Sequence, residues 1–267
     1  MSKGAGRPHP SSYRRRSYRR PQNFGGHSFE VRIGESDLWI SGETPELESL
    51  AYERLLFYRK SLSAFLQRHS DWCESLVPLV AADYPLAPPL ARQMMTASEI
   101  AGVGPMAAVA GALAEAVGRD LIVLSAELVV ENGGDIFLAG RSEYRLAVFA
   151  GTSPLSGHLG IKVSAPRPFS CGVCTSSARV GHSLSFGRAD AVTIVADNVA
   201  LADAVATAMA NQVQKKTDLA RVVEKSLALD GIWGAVAVMG SDMAAGGNLE
   251  LIYLERIVHE ENLCSSF

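Results

Sequence analysis

Between residues 128 and 197 the chain places one short apolar segment after another with no helical stretch between them. They are "LVVEN" (128–132), "IFLAG" (136–140), "YRLAVFAG" (144–151), "GIKVSA" (160–165), "HSLSFG" (182–187) and "DAVTIVAD" (190–197). Strands in direct succession pair antiparallel, because parallel neighbours need a long crossover that usually contains a helix. An earlier pair, 28–43, joins at "GESD", and 120–126, 234–240 and 249–257 read as further strands. Helical periodicity is confined to separate blocks: 44–76, capped at Thr44, then 98–117, kinked at Pro105, then 198–212 and 216–229. "PLVAADYPLAPP" (78–89) is a proline-punctuated connector. This order predicts an α+β fold, a mostly antiparallel sheet with helices on one face.

Charge divides the chain at about residue 26. The first 26 residues contain Lys3, Arg7, Arg14, Arg15, Arg16, Arg19 and Arg20 and no acid. Removing those seven charges from a net of −3 leaves −10 on the remainder. A basic, proline-containing stretch followed by an acidic body reads as a disordered arm (1–26) ahead of one domain (27–267). The arm is the one place where a nucleic acid would be met. No apolar run follows its arginines, and "AGVGPMAAVAGALAEAV" (101–117) is too short to span a bilayer, so no membrane association and a cytoplasmic location are expected. Four cysteines are too few for a disulfide scaffold.

Residues 97–112 and 196–211 echo one another without gaps at a shift of 99, which an internal duplication would explain; alanine-rich helices also align readily by composition. In this alignment Asp203 falls opposite Gly104 and Thr207 opposite Ala108.

Three segments could carry chemistry. In "VENGGDIF" (130–137), Asn132, Gly133, Gly134 and Asp135 form a tight turn between strands, and the glycines would also let a ligand approach the backbone. "CGVCTSSARVGHSLSFG" (171–187), read as a loop, offers the thiols of Cys171 and Cys174, the hydroxyls of Thr175, Ser176 and Ser177, and the His182 imidazole. Hydroxyls and backbone N–H groups suit phosphate oxygens. The Cys-x-x-Cys spacing suits a redox pair or half a metal site, and no second ligand pair accompanies it. In "LADAVATAMAN" (201–211), Asp203 and Thr207 stand one turn apart on one helix face. A carboxylate and a hydroxyl there offer hard oxygens to magnesium, which takes few protein ligands, or form an ordinary polar face.

The order of these pieces resembles the ApbE-like superfamily, the FAD:protein FMN transferases, over roughly residues 95–212. "GPMAAVAGALAEAV" is similar to that family's small-residue helix and "ENGGD" to its Gly-Gly-Asp turn. Thr175-Ser176-Ser177 stands where the family has Thr-Ser-Gly, "HSLSFG" stands at its histidine segment, and "ADAVATA" is similar to "ADALATA". The resemblance implies a T-fold-like core of two similar halves. It implies magnesium at Asp203 and Thr207, and FAD against Asn132, Gly133, Gly134, Asp135, Thr175, Ser176 and Ser177, with His182 as a catalytic base. The chain departs from the pattern in two places. The family's Asp-Pro after the histidine is missing, and the lysine-glycine opening the first helix is replaced by Gly104-Pro105.

The likeness is to the divergent cytoplasmic branch of bacteria and archaea. Two functions follow as expectations. One is magnesium-dependent FMN transfer from FAD to a protein hydroxyl. The other is an accessory role in sulfur assimilation and homocysteine synthesis with a protein partner, using the same pocket and the two thiols. A homo-oligomer fits either.

Overall fold

The computed structural model describes residues 26–163, 170–177 and 187–254. His182, Cys264 and the basic arm up to residue 25 lie outside them. The strands are β1 (His27–Ile33), β2 (Ser36–Gly42), β3 (Leu128–Asn132), β4 (Asp135–Ala139), β5 (Tyr144–Ala147), β6 (Leu159–Val163), β7 (Ser170–Ser176), β8 (Ala191–Ala196), β9 (Ile232–Met239), β10 (Asp242–Gly247) and β11 (Glu250–Tyr253). The helices are α1 (Leu47–Leu66), α2 (Ser70–Glu74), α3 (Pro89–Ala101), α4 (Val109–Leu121), α5 (Val199–Gln212) and α6 (Leu219–Leu227).

Eight strands form one sheet in the order β1-β2-β3-β4-β7-β8-β9-β10, every neighbour antiparallel. Alternation along each strand supplies two apolar faces. Val130, Phe137, Cys174, Ile194 and Ala237 face one way and pack under the helices. Val129, Leu138, Cys171, Val195 and Val236 face the other way, where β5, β6 and β11 form a second sheet over them. Strands buried on both faces read as continuous apolar runs, as β8 does. The antiparallel α+β expectation holds, with helices on one face and a three-stranded sheet on the other.

The large sheet divides into two halves of like connectivity. In each, two strands are followed by helices and then by two more strands: β1-β2 to β3-β4 with α1 to α4 between, and β7-β8 to β9-β10 with α5 and α6 between. The echo at a shift of 99 does not trace these halves. It lays α5 over the end of α3, the break that follows and the start of α4.

Other expectations are corrected. The block 98–117 is two helices meeting at 106°, not one kinked helix. Gly102 ends α3 in the left-handed conformation (φ 72°), and Gly104-Pro105 begins a 3-10 turn leading into α4. A Cβ on Gly104 would collide with the Ser75 carbonyl, so this break is also a close chain crossing. Residues 120–126 are the end of α4 and a turn, not a strand. Thr44 does not cap α1, which begins at Leu47, and its hydroxyl is buried without a partner. β10, "DMAAGG", has small residues and glycines in place of an alternating apolar pattern, which is why it escapes sequence reading. Among the described residues no single helix is long and apolar enough to cross a membrane.

Candidate functional site

The hairpin turn between β3 and β4 sits beside the first turn of α4. Gly133 (φ 72°) and Gly134 (φ 106°) both have positive φ, which a two-residue hairpin of this kind requires. Asn132 Nδ2 donates to the Ala110 carbonyl (3.0 Å), tying the turn to α4, and Glu131 Oε1 accepts from Gly134 N (2.9 Å). A Cβ on Gly134 would find only the Thr175 carbonyl oxygen, at 3.8 Å, so space is open there.

Asp135, the first residue of β4, pairs in register with Cys174 on β7, and both face the helix layer. Asp203 on α5 reaches the same place. Its Oδ2 accepts from Gly111 N (2.9 Å), in the first turn of α4. The helices approach closely because residue 111 is glycine; a Cβ there would lie 2.6 Å from the Val199 carbonyl oxygen and 2.8 Å from Asp203 Cβ. The Cys174 thiol donates to the Val199 carbonyl (3.4 Å) and lies against Asp135. Thr207 follows Asp203 one turn along α5, partly exposed.

The two carboxylates feel each other. Burial pushes Asp135 up from 3.8 to about 7, against the lowering effect of the Cys174 thiol, with Glu131 adding repulsion. Burial, followed by repulsion from Asp135, raises Asp203 well above the ordinary carboxylate range, although its backbone donors on α4 oppose this. Burial first, then both aspartates, holds Cys174 as a thiol. Two desolvated carboxylates that repel each other are costly, and a cation between them offsets the cost.

Two carboxylates and a nearby hydroxyl are the hard oxygen donors that magnesium uses, since it takes one or two carboxylates and fills the rest of its octahedron with water and substrate phosphates. Among the described residues no group of three or more His, Cys, Asp and Glu is arranged as a fuller metal cage. In donor chemistry alone, two carboxylates and a hydroxyl fit magnesium.

These raised values set a direction for stability. A carboxyl whose native pKa lies above its unfolded value keeps its proton in the folded chain after the unfolded chain has lost it. Its contribution is full below about pH 4 and declines as pH rises towards 7. In chelator, the thermal midpoint is expected to fall between pH 5 and pH 8, and Asp135→Asn to flatten the fall. Carboxylates held low by hydrogen bonds, such as Asp218, act below about pH 4 and leave that window clear. Thermal unfolding at the two pH values checks this.

The remaining sequence candidates separate. Cys171 and Cys174 lie on β7, a strand and not a loop, and residues three apart in a strand point to opposite faces. Cys171 lies in the core beneath the small sheet and Cys174 in the core beneath the helices. They form neither a redox pair nor half a metal site. Burial pushes the Cys171 thiol up to about 12. Alkylation before and after denaturation, read by mass spectrometry, should label Cys171 and Cys174 only after denaturation, without prior reduction.

Thr175 shares the Cys171 face, where its hydroxyl pairs with that of Thr193 (2.8 Å), away from the aspartates. Ser176 shares the face of Cys174, and Ser177 lies one residue past the strand. His182 falls outside the described residues.

Glu115 and Gly111 were missed in the sequence. Glu115 stood visible as the one acid within "AAVAGALAEAV". It is 1% exposed, a buried charge that requires partners. Near it, between α3, α4 and the start of α5, lies a cleft of about 360 Å³ lined by Thr96, Ile100, Glu115, Arg119 and Leu201 among others; Asp135 and Asp203 are not among its lining residues.

The family model described as AbpE bacteria matches residues 19–242. A UPF0280 protein of Methanosphaerula palustris is 40% identical over 218 residues, 81% of this chain and 86% of its own length. Another, of Methanocella arvoryzae, is 35% identical over 243 residues, 90% and 97%. Among solved structures, the ApbE protein of Thermotoga maritima is similar with a TM-score of 0.53 at 14% identity, covering 84% of this chain and 96% of that one. A single-substitution variant of the flavin transferase ApbE of Vibrio cholerae gives 0.52 at 13% identity, covering 83% and 96%. At these identities the structures establish a shared fold.

Proposed function

We propose, from the premise that this chain belongs to the AbpE bacteria family, that it binds FAD through magnesium and transfers FMN to a hydroxyl of an acceptor protein. The observation that carries this reading is the convergence of Asp135 from β4 and Asp203 from α5 beside the first turn of α4.

Asp135 and Asp203 would hold the cation, with the Thr207 hydroxyl one turn along. Bound magnesium would supply charge neutralisation for the pyrophosphate and for the departing AMP. The chain's own residues orient the parts. Gly111 N–H fixes one Asp203 oxygen, Asn132 ties the hairpin to α4, and the bare backbone at Gly133-Gly134 leaves room for the nucleotide. Ser176, on the same face as Cys174, is the hydroxyl of the 175–177 group best placed to line that room.

The test is FAD binding followed by fluorescence with and without magnesium, then AMP release with a cell extract as the source of acceptor. Magnesium-dependent binding with AMP release is expected. No FAD binding at saturating magnesium overturns the proposal. Binding without AMP release would move the reading to a non-transferring accessory role at the same pocket. That role gains nothing from Cys171 and Cys174, which face apart.

A further inference from the structure

α4 and α5 run antiparallel and clasp each other at two points one helical turn apart. At one, Asp203 of α5 accepts from Gly111 N of α4 (2.9 Å). At the other, Glu115 of α4 accepts from the N-terminus of α5: its Oε2 takes Val199 N (2.9 Å) and Ala200 N (3.4 Å). Gly111 and Glu115 are four residues apart on α4, as Val199 and Asp203 are on α5, so each carboxylate caps the other helix. Asn198 Oδ1 completes the cap of α5 by accepting from Leu201 N (2.9 Å). The other Glu115 oxygen, Oε1, accepts from Arg119 Nε (2.8 Å) and Nη2 (2.6 Å). Glu115 is therefore a buried carboxylate with both oxygens engaged, one on a helix end and one on a guanidinium.

We infer that Glu115 is a positioning residue for Asp203: it fixes how far α5 lies along α4 and so where the Asp203 carboxylate meets Asp135. Nothing else on α4 accepts from the first N–H groups of α5 among the described residues. Without that anchor the helix is free to slide or fray at the end that carries Asp203, because orphan N–H groups in the first turn seek other partners. Arg119 holds the Glu115 side chain in the orientation that reaches α5. The inference rests on Asp203 being a metal ligand only in its functional consequence; the geometric part stands without it.

The experiment pairs Glu115→Gln with Val222→Ala, a buried change on α6 that lowers stability and takes no part in the hydrogen bonds between α4 and α5. Two readouts are taken. The first, independent of any ligand, is hydrogen exchange at the Gly111 amide. Glu115→Gln is expected to speed it at least tenfold over wild type while Val222→Ala leaves it near wild type after matching for global stability. The second is the magnesium concentration giving half-maximal FAD binding. It is expected to rise about tenfold in Glu115→Gln, with FAD affinity at saturating magnesium within twofold. Unchanged Gly111 exchange in a folded Glu115→Gln protein overturns the inference. Wild-type protein that binds no FAD with magnesium overturns the functional reading instead, and the exchange result still decides the role of Glu115.

Discussion

Asp203→Asn is expected to abolish magnesium-dependent FAD binding and, in the same protein, to raise its stability. The carboxylate at 203, partly buried, lies beside that of Asp135, and desolvation followed by this repulsion raises its pKa. In metal-free protein at pH 8 that proximity works against folding, and an asparagine of the same shape removes it while still accepting from Gly111 N–H. The asparagine carries no charge to desolvate or repel, and each unit by which a pKa is raised corresponds to about 1.4 kcal/mol. Roughly 2 kcal/mol of gain here would lift the thermal midpoint by about 4–8 °C in a chain of this length. The loss on the binding side is larger. Removing groups that only support a ligand costs about 10–100-fold in metal affinity, so loss of the ligand itself is expected to weaken magnesium-dependent binding by roughly 100-fold or more. Thermal unfolding in chelator and FAD titration with magnesium measure the two halves. A variant that loses stability and binding together would show that the carboxylate serves the fold.

Gly172→Ala is expected to be the most damaging single-methyl change near the site. Gly172 lies on β7 beneath the start of α5, and a Cβ there would lie 2.5 Å from Val199 Cα, 2.6 Å from Val199 N and 2.7 Å from the Asn198 carbonyl carbon. These are backbone atoms and cannot rotate away, so the helix must lift. Overpacking of this kind costs about 1–3 kcal/mol, and the displaced element is the one that carries Asp203 and accepts the Glu115 cap. Urea unfolding should show the loss, and FAD binding should weaken with it. A stability within about 0.5 kcal/mol of wild type would mean that the strand and helix are less tightly packed than this contact requires.

Much of this was legible from the sequence. Strands in succession fixed the antiparallel sheet, and "ENGGD" announced both the hairpin and the carboxylate at 135. Asp203 announced itself as a polar residue in an alanine-rich helix. What stayed hidden depended on contacts between distant segments. Glu115 and Val199 are 84 residues apart, and no local pattern links them. The Cys-x-x-Cys misled because its meaning depends on the element that carries it: on a loop or helix the thiols could meet, and on β7 they face apart. The echo at a shift of 99 crosses a helix break and does not follow the register that relates the two halves. The correct halves are visible only in strand connectivity.

The most direct test is anomalous scattering from a crystal grown with manganese and FAD. A manganese peak in coordination contact with the carboxylates of both Asp135 and Asp203, with the FAD pyrophosphate on its far side, is the predicted result. Bound FAD with no metal touching either carboxylate would contradict the account.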